Sequence, residues 1–294
     1  MKLLPALALS LLTQGCNETA DNADASRLDS GETDASFDDV GAQDARADQA
    51  AGDAGAEASS ACPDAGGFLG PPRCECRDFL LCDDFEGPAL DTNLWKVDES
   101  QASHAITSEK FARGSHALAL HVSPHAGARA LVSERATFPA PNNDLWVRFF
   151  VFVAPRSPQA HVGLVSAAGP GSAGTIEERI GTQYGQIRPN YMAPNAEYGI
   201  FNSMPPTQLP IETWSCFEVH YAGGHNEMRT FLGEQELVEI AVPSAHIPTW
   251  TAPLYNVLTL GPILYGDDSA TSPGGFDYWF DSVAVATTRI GCYL

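Results

Sequence analysis

Basic residues are scarce in this chain. Lysine and arginine number 16 against 37 aspartates and glutamates, a formal charge of −21. Such a charge repels phosphate backbones and excludes nucleic acid as a natural partner. Long apolar runs are also missing. The run Leu3–Leu12 is about half of what a bilayer span needs, and no later stretch reaches 18 consecutive apolar residues. No long segment carries a helical period, which argues against an all-α or βαβ chain. Between Asn17 and Ala61 large apolar side chains nearly vanish, and Phe37 is the only aromatic residue there. That stretch cannot bury enough apolar surface to offset the entropy of ordering it.

What is present divides the chain. Met1–Gly15 has Lys2 at its start, then the apolar run, then small Gly15, the pattern of a cleaved export signal. Gly15-Cys16 resembles the end of a bacterial lipobox, with departures at Thr13 and Gln14 and with Leu12 one place early. The reading is a lipoprotein acylated on Cys16, held at the outer membrane or cell surface through its lipid anchor only. The alternative is an ordinary signal peptide, with Cys16 left free or removed. Residues 16–61 form an Asp/Ala-rich linker in which 12 acidic residues face 2 arginines. Like charges extend it. The ligand spacing of a calcium-binding loop is absent from it.

Globular composition begins at Cys62, and residues 62–294 suffice for one sizeable core. Six cysteines remain after Cys16: Cys62, Cys74, Cys76, Cys82, Cys216 and Cys292. An even number in an exported chain points to disulfides. Cys216–Cys292 is expected to tie a central strand to the carboxyl end, and the other four to knot the entry segment 62–80. A zinc site from Cys74, Cys76 and Cys82 is the alternative, and C-x-C is not the usual zinc spacing.

Short alternating runs dominate this region. Leu118, Leu120 and Val122 share one face of a strand, and Leu145–Val153 is apolar on both faces except at Arg148. Further strands are expected near 129–138, 161–167, 183–190, 214–221, 228–232, 237–242, 255–264 and 276–286, separated by Gly/Pro/Asn/Ser clusters. Many short strands in about 230 residues predict an all-β, two-sheet antiparallel jelly-roll sandwich.

Cys82-Asp-Asp-Phe-Glu86, Leu94-Trp95, Arg113-Gly-Ser-His-Ala-Leu118, the run 145–153, Trp214-Ser-Cys-Phe-Glu-Val-His220, Tyr278-Trp-Phe-Asp-Ser-Val283 and Arg289-Ile-Gly-Cys292 follow in an order that resembles the concanavalin A-like lectin/glucanase superfamily. Within it they are most like the cellulose-induced and glucuronan-lyase group. The resemblance implies a polysaccharide partner, a cleft on a concave sheet face and a structural Ca2+. Glu86 and Asp281 would be its carboxylate ligands, with carbonyls from Lys110–Gly114 and with Asp84 in reserve. A retaining glucanase of this superfamily would carry E-x-D-x-x-E on one strand; the string is absent, so glucanase activity is disfavoured.

A uronate lyase must neutralise the substrate carboxylate, remove the adjacent proton and protonate the leaving oxygen. Arg148, Gln186, His220 and Tyr184 are the candidate catalytic residues. His161, Arg188, Asn190, Glu218 and Tyr255 are the candidate substrate contacts. Arg148 could instead pair with Glu218, and either histidine could be a satisfied core residue. Binding alone needs only aromatic faces and polar groups, for which Tyr184, Tyr191, Tyr198, Trp250 and Tyr255 are available. The expected function is therefore a monomeric, surface-anchored carbohydrate-binding jelly roll, with β-elimination of a uronic-acid polymer as the alternative and a structural or adhesive role as a third reading.

Overall fold

Alternation governs burial strand by strand. In Asp144–Val153 the odd residues Leu145, Val147, Phe149, Val151 and Val153 enter one large apolar core, while the even residues point the other way. The same parity runs through Trp214–Ala222, where Phe217, Val219 and Tyr221 face the core and Cys216, Glu218 and His220 do not. The computed structural model describes residues 67–154, 161–199 and 207–293. The signal segment, Cys16, the whole linker 16–61 and Cys62 lie outside the described residues.

The described strands are β1 Leu81–Asp83, β2 Lys96–Ser100, β3 Ala102–Thr107, β4 Ala117–Val122, β5 Arg129–Glu134, β6 Asp144–Val153, β7 His161–Gly171, β8 Gly174–Gln183, β9 Gln186–Ala193, β10 Ala196–Gly199, β11 Trp214–Ala222, β12 Glu227–Leu232, β13 Gln235–Glu236, β14 Val257–Leu264 and β15 Phe276–Ala286. They form two antiparallel sheets. One has the order β13-β12-β11-β6-β15-β4-β3, with β1 also on β15; the other has the order β10-β9-β8-β7-β14-β5-β2. Their inner faces meet in the core, which includes Trp95, Phe149, Phe217, Phe276 and Phe280. Each such side chain contributes on the order of 1.5–3 kcal/mol by leaving water. Among the described residues no helix is long and apolar enough to cross a membrane.

Several expectations change in detail. Residues 237–242 are not a strand: β13 ends at Glu236, and Val238–Ile240 make a single 3-10 turn. The Arg129 strand stops at Glu134, whose carboxylate accepts from the amide and hydroxyl of Thr137 and closes a turn. The expected strand near 183–190 begins only at Gln186, because Tyr184 and Gly185 form a two-residue hairpin turn with φ of 51° and 74°. Before that turn lies the whole of β8, which the alternation reading did not mark.

The outer face of the eight-stranded sheet is covered by the two ends of the domain. Phe68 stacks on Phe150 at 5.7 Å, and Cys216–Cys292 ties β11 to the carboxyl-terminal tail with Cα atoms 5.9 Å apart. Cys74–Cys82 closes the entry segment, and Cys76 is disulfide-bonded as well. Oxidised in this way, Cys74 and Cys82 offer no thiolate to zinc.

Candidate functional site

Polar side chains gather on the outer face of the seven-stranded sheet, and Arg179, Arg188 and Asn190 are buried there. Register places them in rows across the strands. Gln186, Gln183 and His161 form one row. Arg188, Gly181, Gly163 and Ile263 form the next. Asn190, Arg179, Ser166, Thr259 and Ser133 form a third, and Met192, Glu177 and Ala168 a fourth. Beside them lies a hollow of about 160 Å3, lined by Gly163, Ser166, Glu177, Arg179, Thr259 and Tyr265 among others. A Cβ on Gly163 would come within 2.9 Å of Ile263 Cγ2, so the close approach of Ile263 is what requires glycine there.

The hollow holds a linked set of functional groups. Arg179 donates to the Tyr265 hydroxyl, and its other terminal nitrogen pairs with Glu177 Oε2 at 2.6 Å. The guanidinium lies over the Tyr265 ring, 4.9 Å from its centroid. The His161 ring sits 4.8 Å from the same tyrosine. Burial and then the Arg179 charge hold His161 below its ordinary pKa, so the imidazole is neutral near pH 7. Burial pushes the Tyr265 hydroxyl up, so it keeps its proton. Asn190 contacts Glu197 at 3.5 Å. Arg188 donates to Gln186 Oε1 and to the Ile187 carbonyl, and among the described residues it has no carboxylate partner.

The expected site residues are thus divided. Gln186, His161, Arg188 and Asn190 share this face. Arg148, Glu218 and His220 do not: they project from the far side of the other sheet. Arg148 is fully buried beneath the domain ends, where the charges of Asp84, Glu218 and Asp281 surround it. Glu218 is also fully buried and clamps the tail, accepting from Arg289 Nε at 3.0 Å, Ile290 N at 2.7 Å and Gly291 N at 3.0 Å. His220 stacks on Trp146 at 4.1 Å and lies 3.0 Å from Asp144 Oδ1. The correction has a simple cause: period two says which residues share a face of one strand, not which sheet the strand joins.

Tyr255 is corrected likewise. It is 1% exposed in the inter-sheet core, donating to Glu178 Oε2 at 2.6 Å, and burial pushes Glu178 up to about 7. Tyr191 and Trp250 are core residues too, while Tyr198 and Tyr184 are exposed; Tyr184 sits at the hairpin tip. Arg179 and Tyr265 escaped the sequence reading. Arg179 follows Glu177-Glu178, which hides the alternation of Ile176 and Ile180, and Tyr265 lies one residue past the end of its strand.

The residues expected to hold Ca2+ are engaged within the protein, while Asp281 Oδ1 and Asp84 Oδ1 are buried without a hydrogen bond. Asp281 Oδ2 accepts from the backbone amides of Ala112 and Arg113 at 2.7 and 2.9 Å, so the turn presents donors rather than carbonyls. The Ala112 carbonyl is taken by Gly70 N. Glu86 is engaged by the Ser115 amide and hydroxyl and the His116 amide. Asp281 Oδ1 has no hydrogen bond, but the charges nearest it include the guanidinium groups of Arg113 and Arg148. Calcium requires a shell of hard oxygens, and the hydrogen bonds of Asp281 Oδ2 and Glu86 run to N–H and hydroxyl donors.

Comparison with solved structures settles the architecture. A cellulose-induced protein, Cip1, superposes with a TM-score of 0.57 at 20% identity, covering 72% of this chain and 99% of that one. The fold is a concanavalin A-like jelly roll. An endo-β-1,4-glucuronan lyase from the fungus Trichoderma reesei shares the jelly roll with a TM-score of 0.52 at 13% identity, over 72% of this chain and 96% of its own. No protein-family model and no curated protein matches the sequence.

Proposed function

We propose that this jelly roll binds an acidic polysaccharide across the outer face of its seven-stranded sheet. The observation that carries the reading is that Arg179 and Tyr265 meet at one hollow, with His161 against the tyrosine ring. A guanidinium beside a hydroxyl, with the Asn190 amide one strand away, suits a carboxylate and its neighbouring sugar hydroxyls. The likeness to a glucuronan lyase supports a polymer of this kind by analogy of fold. The test is retention of the full chain on gels cast with uronate-containing and neutral polysaccharides. Retention only in the acidic gels, lost in Arg179→Gln, is expected; equal mobility in every gel would refute the reading.

A second reading, turnover by β-elimination, is favoured by the opposite protonation tendencies of His161 and Tyr265. Neutral His161 would take the proton adjacent to the uronate carboxylate. Tyr265, still protonated, would give its proton to the departing glycosidic oxygen, and Arg179 would hold the carboxylate. Ultraviolet absorbance of an unsaturated uronate, absent in His161→Ala, is the readout that separates turnover from binding.

The protein would act as a monomer at the cell surface, tethered through an acylated Cys16 and the acidic linker; the support is the signal-like segment ending at Gly15-Cys16. Cys16→Ser is expected to move the protein from the membrane fraction to the soluble one.

A further inference from the structure

The charge balance of the hollow specifies what kind of acidic polymer it takes. Arg179 is not a free cation, because Glu177 pairs with it at 2.6 Å. Glu197 lies at the other side of the same row, 3.5 Å from the Asn190 amide, and both acids act electrostatically on Tyr265. Two arginines, Arg179 and Arg188, are therefore set against two glutamates, Glu177 and Glu197, on one patch of sheet. Arg188, 2% exposed and outside the lining of the hollow, has no carboxylate partner among the described residues. The hollow is also small: about 160 Å3 lies below the ~300–1,000 Å3 of pockets that enclose a drug-sized ligand. It can seat part of one sugar, and the rest of the polymer must lie over Glu177, Glu197 and the flat sheet.

A chain with a carboxylate on every sugar would place its second and third charges against those glutamates and against a protein of formal charge −21. A chain whose uronates are separated by neutral sugars would place one carboxylate at the Arg179 guanidinium and neutral rings elsewhere. Resting on the acidic-polysaccharide reading, we infer that the site selects an isolated uronate flanked by neutral sugars and discriminates against homopolyuronates. Glu177 and Glu197 are the residues that set this specificity, by repulsion rather than attraction.

The experiment compares the full chain on three probes: deacylated gellan, whose glucuronates are spaced by neutral sugars; glucuronan, charged at every sugar; and a neutral β-glucan. Wild-type protein is expected to bind gellan about tenfold more tightly than glucuronan, a gap that narrows with added salt. In Glu197→Gln, and more so in Glu177→Gln/Glu197→Gln, affinity for glucuronan should rise toward that for gellan. The single variant leaves the Arg179 pair intact, so it stays informative if the double variant folds poorly. Glucuronan bound as tightly as gellan by the wild type, or no gain in either variant, overturns this inference and leaves the acidic-polysaccharide reading standing. Binding to no acidic probe, or equal binding to the neutral glucan, overturns that reading and the inference with it.

Discussion

Two arginines, at the residue scale, illustrate that burial alone does not decide what a charge can reach. Arg148 is sealed under the entry segment among carboxylates, whereas Arg179, also buried, lines a hollow. Arg148→Ala should cost about 3–5 kcal/mol, because it strands buried acids without their cation, yet leave the glycan affinity of the folded fraction unchanged. Arg179→Gln should weaken that affinity at least about tenfold. Denaturant melts and affinity gels on the two variants check both outcomes. Glu178 makes a different prediction. Burial raises its folded pKa to about 7 from an ordinary 4.5. The folded state therefore binds the proton more tightly than the unfolded state does. Its stabilising effect is fully present below pH 4.5 and is lost as pH rises through 7. Glu178→Gln keeps an acceptor for the Tyr255 hydroxyl, so stability measured across that window should fall less steeply in the variant than in the wild type. The sequence allowed Gln186, Arg188 and Asn190 to be placed on one face because a polar residue recurs at every second position. Arg179 was invisible because Glu178, a buried acid on the core side, broke the expected apolar parity of its strand.

The element scale explains what alternation could and could not reveal. Strands such as β4, β6, β11 and β15 were legible because their core faces are continuous Val, Leu and Phe. The strand β8 was not, since glycines and charges occupy five of its ten positions: Gly174, Glu177, Glu178, Arg179 and Gly181. Gly181 is needed because a Cβ there would lie 2.1 Å from the Val162 carbonyl oxygen of the neighbouring strand. The assignment of strands to sheets was likewise illegible, because pairing between distant segments leaves no local mark. One long-range tie was readable from cysteine positions alone. Cys216–Cys292 fastens β11 to the tail that Glu218 also clamps, across 76 residues of sequence. Replacing both cysteines by serine should cost about 2–5 kcal/mol. Because this tie is on the sheet opposite the hollow, the melting midpoint should fall while gellan retention of the folded protein persists.

For the whole molecule, the question is what holds the domain ends against the sandwich. The resemblance to calcium-bearing jelly rolls predicted a bound cation between Glu86 and Asp281. In this chain a buried arginine lies between the two ends. Arg113 is fully buried, donates to the carbonyls of Phe68 at 2.9 Å and Cys292 at 2.7 Å, and lies 4.7 Å from the Phe150 ring centroid. It therefore links the entry segment, the carboxyl-terminal tail and the eight-stranded sheet through one group. A metal that bound only the folded state would raise stability with its concentration. A fixed guanidinium gives no such dependence. Thermal melts of the full chain should superimpose in excess chelator and in millimolar calcium. Arg113→Met should lower stability by about 3–5 kcal/mol, at roughly 2–4 °C per kcal/mol for a domain of this size, and calcium should not restore it. A melting point that climbs with calcium in the wild type would show instead that the carboxylates of Glu86 and Asp281 turn toward an ion, and that the amide contacts of Asp281 give way to it.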